Sequence, residues 1–180
     1  MKERREIVAV VGGQNISPQL REQTQELGRH LVDAGFRIAT GGRGGVMEAA
    51  LKGGREAKSW SDGRTMAVLP SLKSEDANSY ADIVIPTGMN YARNTILVAM
   101  ADIVIAVGGG AGTLSEIALA WQHNKPIIAM DVNEGWSSRL AGLSLDPRRG
   151  DVVHAAKTVN EAIELATKLS KTRESSHGFV

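Results

Sequence analysis

The chain has 180 residues, and 42% of them are hydrophobic, as expected for one globular domain with a core. Its 21 Lys and Arg residues nearly balance its 20 Asp and Glu residues, so the net charge of +1 gives no global field that would attract nucleic acid or an acidic membrane. The sequence has no cysteine, which excludes disulfides, thiol nucleophiles and thiolate ligands for metals.

Six short runs of apolar residues are predicted to be strands. They are residues 7–11, 37–40, 66–69, 83–85, 103–107 and 127–130. Each run is almost continuously apolar, which is typical of strands that are covered on both faces of a sheet.

Longer segments between these runs have the spacing of amphipathic helices. The first begins near Pro18 and ends before Gly35, which are favoured residues at a helix start and just past a helix end. A second, shorter helix contains Gly53 and Gly54, which weaken helices. The predicted helices span residues 18–34, 46–57, 90–101, 113–124 and 160–170.

The alternation of strands and helices predicts one Rossmann-like α/β domain of three layers, with a mostly parallel sheet and helices on both faces. We assign residues 1–172 to this domain and expect the polar residues 173–180 to be a disordered tail. Residues 131–150 form the longest irregular stretch and are candidates for a mobile flap.

The sequence also bears on location. We interpret the charged N-terminal residues as a lead-in to the first strand and not as a signal peptide. No apolar stretch approaches the roughly 18–20 residues that a membrane-spanning helix needs. We therefore expect a cytoplasmic protein that does not bind membranes or nucleic acid.

Glycines collect where four of the predicted strands end. They are Gly12 and Gly13, then Gly41, Gly42 and Gly45, then Gly88, and finally Gly108, Gly109, Gly110 and Gly112. The carboxyl ends of parallel strands share one edge of the sheet, where ligands bind. Glycine turns there leave backbone N–H groups open, and each helix start adds a partial positive charge. The preference of tight turns for glycine is the better explanation of any single turn, but four such turns at one edge of the sheet favour a phosphate site.

Known nucleotide motifs fit these turns poorly. No glycine run is followed by the Gly-Lys-Ser/Thr of a P-loop, and the residues after the first strand do not match the dinucleotide pattern. The four histidines lack the spacing of metal ligands. We therefore predict no bound cofactor and no metal site, and a phosphorylated small molecule as the ligand.

Glu116 has two interpretations. Thr113 and Glu116 have the spacing of a capping box, in which Thr113 is the N-cap of a helix and Glu116 accepts from its N–H. Alternatively, Thr113 binds the phosphate and Glu116 faces the ligand, because this helix start lies at the predicted phosphate site. Arg93 follows Gly88 at the start of another helix, where it is either a surface residue or a cation beside the same cleft.

Three motifs carry a resemblance to a known family. "GGRGGVM" (41–47), "MNYAR" (89–93) and "GGGAGTLSE" (108–116) resemble the LONELY GUY-type phosphoribohydrolases of the lysine decarboxylase-like superfamily. The similarity is closer still to a branch that includes the molybdenum cofactor carrier proteins. It extends in order over about residues 6–170.

The resemblance implies a Rossmann-like homodimer or homotetramer. Its hydrolases cleave the N-glycosidic bond of a nucleoside 5′-monophosphate. By motif, Gly109, Gly110, Gly112 and Thr113 would hold the phosphate. Glu116 would orient or deprotonate water and stabilise the cationic sugar, and Arg93 would bind the ligand or balance charge.

Two positions depart from the pattern of the hydrolases. Gly108 stands where they usually have proline, and Asn94 stands where they usually have lysine. Two functions therefore remain open at this point: hydrolysis of a nucleoside monophosphate, with Glu116 and Arg93 as catalytic residues, or carriage or sensing of molybdenum cofactor or a related phosphorylated ligand. Without cysteine, a carrier would recognise such a ligand through its phosphate and ring system.

Overall fold

The computed structural model describes residues 4–177, which form seven strands and six α-helices. The strands are β1 (Ile7–Gly12), β2 (Arg37–Thr40), β3 (Thr65–Leu69), β4 (Ile83–Pro86), β5 (Ile103–Val107), β6 (Ile127–Met130) and β7 (His154–Ala156). The helices are α1 (Pro18–Asp33), α2 (Val46–Arg55), α3 (Arg93–Met100), α4 (Ala111–Gln122), α5 (Gly135–Leu140) and α6 (Val159–His177).

All seven strands form one parallel sheet, in the order β4-β3-β2-β1-β5-β6-β7. The predicted α/β fold and its six predicted strands are therefore confirmed. The chain builds the sheet outward from β1 to β4 and then crosses to β5, on the other side of β1. The strand order thus reverses between β1 and β5, and a crevice opens at the carboxyl ends of strands at such a point.

Alternate residues of the central strands belong to two separate cores. On one face, Val8 and Val10 of β1 pack in a cluster with residues of α1, α2 and α6. On the other face, Ala9 and Val11 pack in a cluster with residues of α3 and α4. Both faces of the sheet are covered, which explains why the strands are almost continuously apolar.

Helices α1 and α2 approach each other closely because glycine lies at their contact. A methyl group at Gly28 of α1 would overlap the carbonyl of Ala50, and a methyl group at Gly53 of α2 would overlap the carbonyl of Gln25. The expectation that Gly53 only weakens its helix is incomplete. The residue also allows two backbones to pack without side chains between them.

The segment 131–150 includes a helix that the sequence did not predict, α5. Ser137 of this helix is fully buried, and its Oγ donates to the carbonyl of Met130 (2.6 Å). Helix α6 continues through residues 173–177, for which the sequence predicted disorder, while residues 178–180 lie outside the described residues. No glycine or proline interrupts the chain between residues 159 and 177, and each further helical residue adds one backbone hydrogen bond.

Candidate functional site

A cavity of about 250 Å³ lies beyond the carboxyl ends of β1, β2 and β5, where the strand order reverses. It brings together most of the residues that the sequence predicted for the site. Among its lining residues are Gly12, Gly13, Gly41, Arg93, Gly110, Gly112, Thr113 and Glu116.

The start of helix α4 forms one side of this cavity. Gly110 is the N-cap residue, and no side chain caps the helix. The first N–H groups of a helix have no partner within the helix, and they attract anions. A methyl group at Gly110 or Gly112 would meet no atom within 4 Å, so space is open beside this turn. The geometry fits a phosphate group.

The capping interpretation of Glu116 is wrong. Helix α4 begins at Ala111, so Thr113 lies inside the helix and is not its N-cap. Glu116 is therefore one turn further along than a capping residue would be. Because the chain is already helical from Ala111, the helix starts closer to β5 than Thr113 does. The spacing of Thr113 and Glu116 does not show this earlier start.

Glu116 instead pairs with Arg93 on the floor of the cavity. Nη1 of Arg93 lies 3.4 Å from Oε1 of Glu116. Glu116 is only 7% exposed, and the Arg93 side chain is 11% exposed. The two residues come from neighbouring helices, α4 and α3, which cover the same face of the sheet. The pair is thus largely shielded from solvent.

Burial changes the proton affinity of both members of the pair. It raises the pKa of Glu116 to about 7, although the positive charge of Arg93 acts in the opposite direction. Burial lowers the pKa of Arg93 from its usual high value, and the nearby Arg43 acts in the same direction. Arginine stays charged in proteins, so near neutral pH the cavity holds a fixed cation beside a carboxyl group that gains and loses a proton.

The absence of a side chain at Gly41 leaves space for the Arg93 guanidinium. A methyl group at Gly41 would overlap Nη2 and lie 2.6 Å from both Cζ and Nη1 of Arg93. The guanidinium therefore lies directly against the backbone that follows β2. A methyl group here would displace the guanidinium, the flexible end of the Arg93 side chain, from its place beside Glu116.

Five of the predicted glycines do not line this cavity: Gly42, Gly45, Gly88, Gly108 and Gly109. All five have a positive φ, between 58° and 87°. Gly45, the N-cap residue of α2, lies against the carbonyls of Gly13 and Gln14. These glycines shape the turns around the site, and the left-handed backbone explains their residue type.

Gly108 and Gly109 are committed to contacts with α5. The N–H of Gly108 donates to Ser137 Oγ (2.7 Å), so it is not open to a phosphate as the sequence predicted. The carbonyls of Gly108 and Gly109 accept from the N–H groups of Ser137 (3.2 Å) and Trp136 (3.0 Å). The unpredicted helix α5 thus supports the turn that leads to the open amides of α4.

Five lining residues were not predicted as site residues: Val11, Gln14, Met47, Tyr91 and Asn94. Gln14 directly follows the glycine pair after β1, and Tyr91 lies in the "MNYAR" motif, so their positions in these motifs were the available signal. Asn94 is buried, and its Nδ2 donates to Oγ of Ser115 (3.1 Å). This bond joins the first turn of α3 to that of α4.

Within residues 4–177, no three His, Asp or Glu side chains are arranged to hold a metal ion. The same part of the chain contains no helix that is both long and apolar enough to cross a bilayer.

Solved structures of molybdenum cofactor proteins resemble this chain over nearly its whole length. The molybdenum cofactor binding protein of Rippkaea orientalis is 34% identical, with a TM-score of 0.79 over 92% of this chain and 98% of that one. The molybdenum cofactor carrier protein of Chlamydomonas reinhardtii is 32% identical, with a TM-score of 0.77 over 93% of this chain and 99% of that one.

A hydrolase is also among the relatives. The cytokinin riboside 5′-monophosphate phosphoribohydrolase of Mycobacterium tuberculosis is 30% identical over 122 residues, or 63% of each chain. Together with the two molybdenum cofactor protein structures, it confirms the resemblance to the LONELY GUY-type superfamily and to its carrier-like branch. The sequence pattern of the SLOG cluster4 family matches residues 5–164, and the chain belongs to this family.

Proposed function

We propose that the protein binds a phosphorylated, nucleotide-like small molecule in this cavity and hydrolyses the N-glycosidic bond of a nucleoside 5′-monophosphate. The observation that carries the proposal is the buried ion pair of Glu116 and Arg93 beside the open amides of α4. The similarity to a phosphoribohydrolase supports it.

The phosphate is held by the N–H groups at the start of α4. Gly110, Gly112 and Thr113 line the cavity there, and the helix dipole adds attraction for a dianion. Arg93, which starts the neighbouring helix α3, contributes a positive charge to the same cavity. A 5′-phosphate bound in this way places the sugar between the helix start and the Glu116 carboxylate, one turn further along α4.

Glu116 acts on the sugar carbon that bears the base. The bond between C1′ and the base nitrogen breaks, and its electron pair leaves with the base, which takes up a proton. The positive charge that develops on the sugar is stabilised by the carboxylate of Glu116. Water adds to C1′ and gives one proton to Glu116, which releases it to the solvent and so balances the proton that the base took up from the solvent. The products are the free base and ribose 5-phosphate. A general base of this kind contributes about 10²–10⁴-fold in rate.

The test is the release of free base from AMP and GMP, measured by chromatography. We expect Glu116→Gln, which keeps the shape of the side chain, to lose about 10²–10⁴-fold in kcat. The matched control is Glu22→Gln, which changes an exposed glutamate on α1 and should retain full activity. Circular dichroism verifies that both variants fold. A Glu116→Gln variant as active as the wild type would contradict the proposed mechanism.

A second candidate function is the carriage of a phosphorylated ligand such as molybdenum cofactor. It is favoured by the similarity to carrier proteins, which covers 98–99% of their chains. Asn94 is a neutral residue in the cavity, and its amide is used in the contact with Ser115. A carrier would use the same phosphate site without cleaving its ligand.

Native mass spectrometry of freshly purified protein separates the two functions. A carrier is expected to retain an intact phosphorylated ligand and to release no base from nucleoside monophosphates. A hydrolase is expected to release base with turnover. If no phosphorylated compound stabilises the protein against thermal unfolding, both functions are contradicted, because a ligand at about 100 times its Kd adds about 2.7 kcal/mol.

A further inference from the structure

The cavity at Glu116 adjoins a second compartment of similar size. This compartment has a volume of about 260 Å³ and shares Gln14, Met47, Tyr91 and Arg93 with the first one. It is completed by Arg43, Pro70 and Asn90. A ligand anchored by its phosphate in the first compartment would therefore have the second compartment beside it.

The walls of the second compartment suit a flat ring. Met47 and Pro70 offer apolar surface, and the side chain of Tyr91 stands at the rim, where the residue is 88% exposed. An exposed tyrosine ring stacks well on heterocycles. Asn90 adopts a left-handed backbone with a φ of 48°, and its N–H donates to the carbonyl of Pro70 (3.0 Å). Such a backbone in a residue other than glycine often marks a functional site.

Two side chains of this compartment carry a positive charge, Arg43 and Arg93, and they lie beside the amides of Gln14 and Asn90, which both donate and accept. Arg43 and Arg93 can only donate, and among the described residues no carboxylate lines the compartment. Arg43 lies close enough to Arg93 to lower the pKa of that guanidinium. Arg93 is paired with Glu116, whereas Glu48 and Asp76 line a separate depression that Arg43 also borders. The second compartment therefore presents positive charge that Glu116 alone does not balance.

We propose that the second compartment selects a heterocycle that presents an oxo group and an adjacent ring nitrogen to Arg43. A guanine-type nucleotide has this acceptor edge, and so does a 4-oxopterin phosphate. Arginine pairs with two such acceptors at once, whereas the donor and acceptor of adenine pair better with Asn or Gln. This inference rests on the proposed phosphate site and adds the class of ring that the site accepts.

The test is calorimetric titration with inorganic phosphate, AMP, GMP and neopterin phosphate, with chromatography to confirm that each ligand stays intact. We expect the wild type to bind GMP about tenfold more tightly than AMP, as one bidentate contact discriminates between bases. Arg43→Gln should lose this preference and leave the affinity for inorganic phosphate within about threefold. The matched control, Arg29→Gln, removes the same charge from an exposed ion pair on α1 and should change neither. Comparison of GMP with neopterin phosphate shows which of the two ring types fits better.

The outcomes distinguish this inference from the proposed function. Equal affinity of the wild type for AMP and GMP overturns the inference and leaves the phosphate site standing. An equal loss of affinity for phosphate and GMP in Arg43→Gln also overturns it, because Arg43 would then act only through its charge. If the wild type binds none of the four compounds, both the inference and the proposed function fail.

Discussion

Two groups of glycines lie at the same edge of the sheet, and their surroundings differ. At the end of β1 and before the start of α2, a methyl group at Gly12 or Gly45 would overlap backbone carbonyls. At the start of α4, a methyl group at Gly110 or Gly112 would meet nothing within 4 Å. The first group allows the backbone segments to pack together, and the second leaves amides open toward the cavity.

The comparison teaches that glycine clusters at strand ends combine two physical roles. Where a Cβ would strike backbone, glycine is required by the fold, and its substitution is costly in stability. Where a Cβ would stand in open space and φ is not positive, as at Gly110 and Gly112, the fold does not require glycine, and the small residue leaves room for a ligand. Substitutions by alanine can separate the two roles at single positions.

Among substitutions of these glycines by alanine, we expect the largest loss of stability at Gly45. Its φ of 70° is unfavourable for alanine, and the added methyl group would overlap the carbonyls of Gly13 and Gln14. We expect Gly45→Ala to lower the free energy of unfolding by about 3 kcal/mol or more. Urea denaturation measures this change. A loss below about 1 kcal/mol would show that the turn has room, which would remove the distinction between the two groups of glycines.

At Gly41 we expect a smaller effect on stability than at Gly45, because the neighbouring atoms belong to the flexible side chain of Arg93. The methyl group of Gly41→Ala would push the Arg93 guanidinium away from Glu116. The pKa of Glu116 should then rise further above about 7, because the positive charge of Arg93 lowers it in the wild type.

The pH profile of base release measures this displacement. Catalysis needs the ionised carboxylate, so the wild-type rate should rise as the pH increases through about 7. In Gly41→Ala the rise should move to higher pH, and activity at neutral pH should fall. An unchanged profile would mean that Arg93 does not influence the carboxyl group.

The smallest effect on the fold is expected at Gly112, in the first turn of α4. Alanine is a better helix former, so Gly112→Ala should raise the free energy of unfolding by about 0.5–1 kcal/mol. The same methyl group should weaken phosphate binding by about tenfold, because it occupies space beside the amides. The matched control, Gly150→Ala, also adds a methyl group in open space but lies far from the cavity lining. Unchanged phosphate affinity in Gly112→Ala would contradict the proposed role of this turn.

The sequence predicted the layers of the fold well, because burial on both faces leaves a continuous apolar signal. It did not predict β7, whose three residues begin with His154 and are too short for a recognisable pattern. It also missed α5, a helix of six residues in a polar segment. The strand order, and thus the meeting of β1 and β5, depends on long-range pairing that no local pattern records.

At the site, residue types were easier to predict than contacts. Glu116 and Arg93 were identified by motif, and both line the cavity. Their pairing requires α3 and α4 to lie side by side on one face of the sheet, which spacing along the chain does not determine. The sequence also did not distinguish Gly108, whose amide is used by Ser137, from Gly112, whose neighbourhood is open.

The central claim is that backbone amides at the start of α4 hold a phosphate beside Glu116 and Arg93. Its most direct test is titration of ¹⁵N-labelled protein with inorganic phosphate and then AMP, followed by amide NMR. We predict that the amide resonances of residues 110–113 shift most with both ligands, while that of Gly108 shifts little. Saturable shifts at other residues, with residues 110–113 unaffected, would contradict the account.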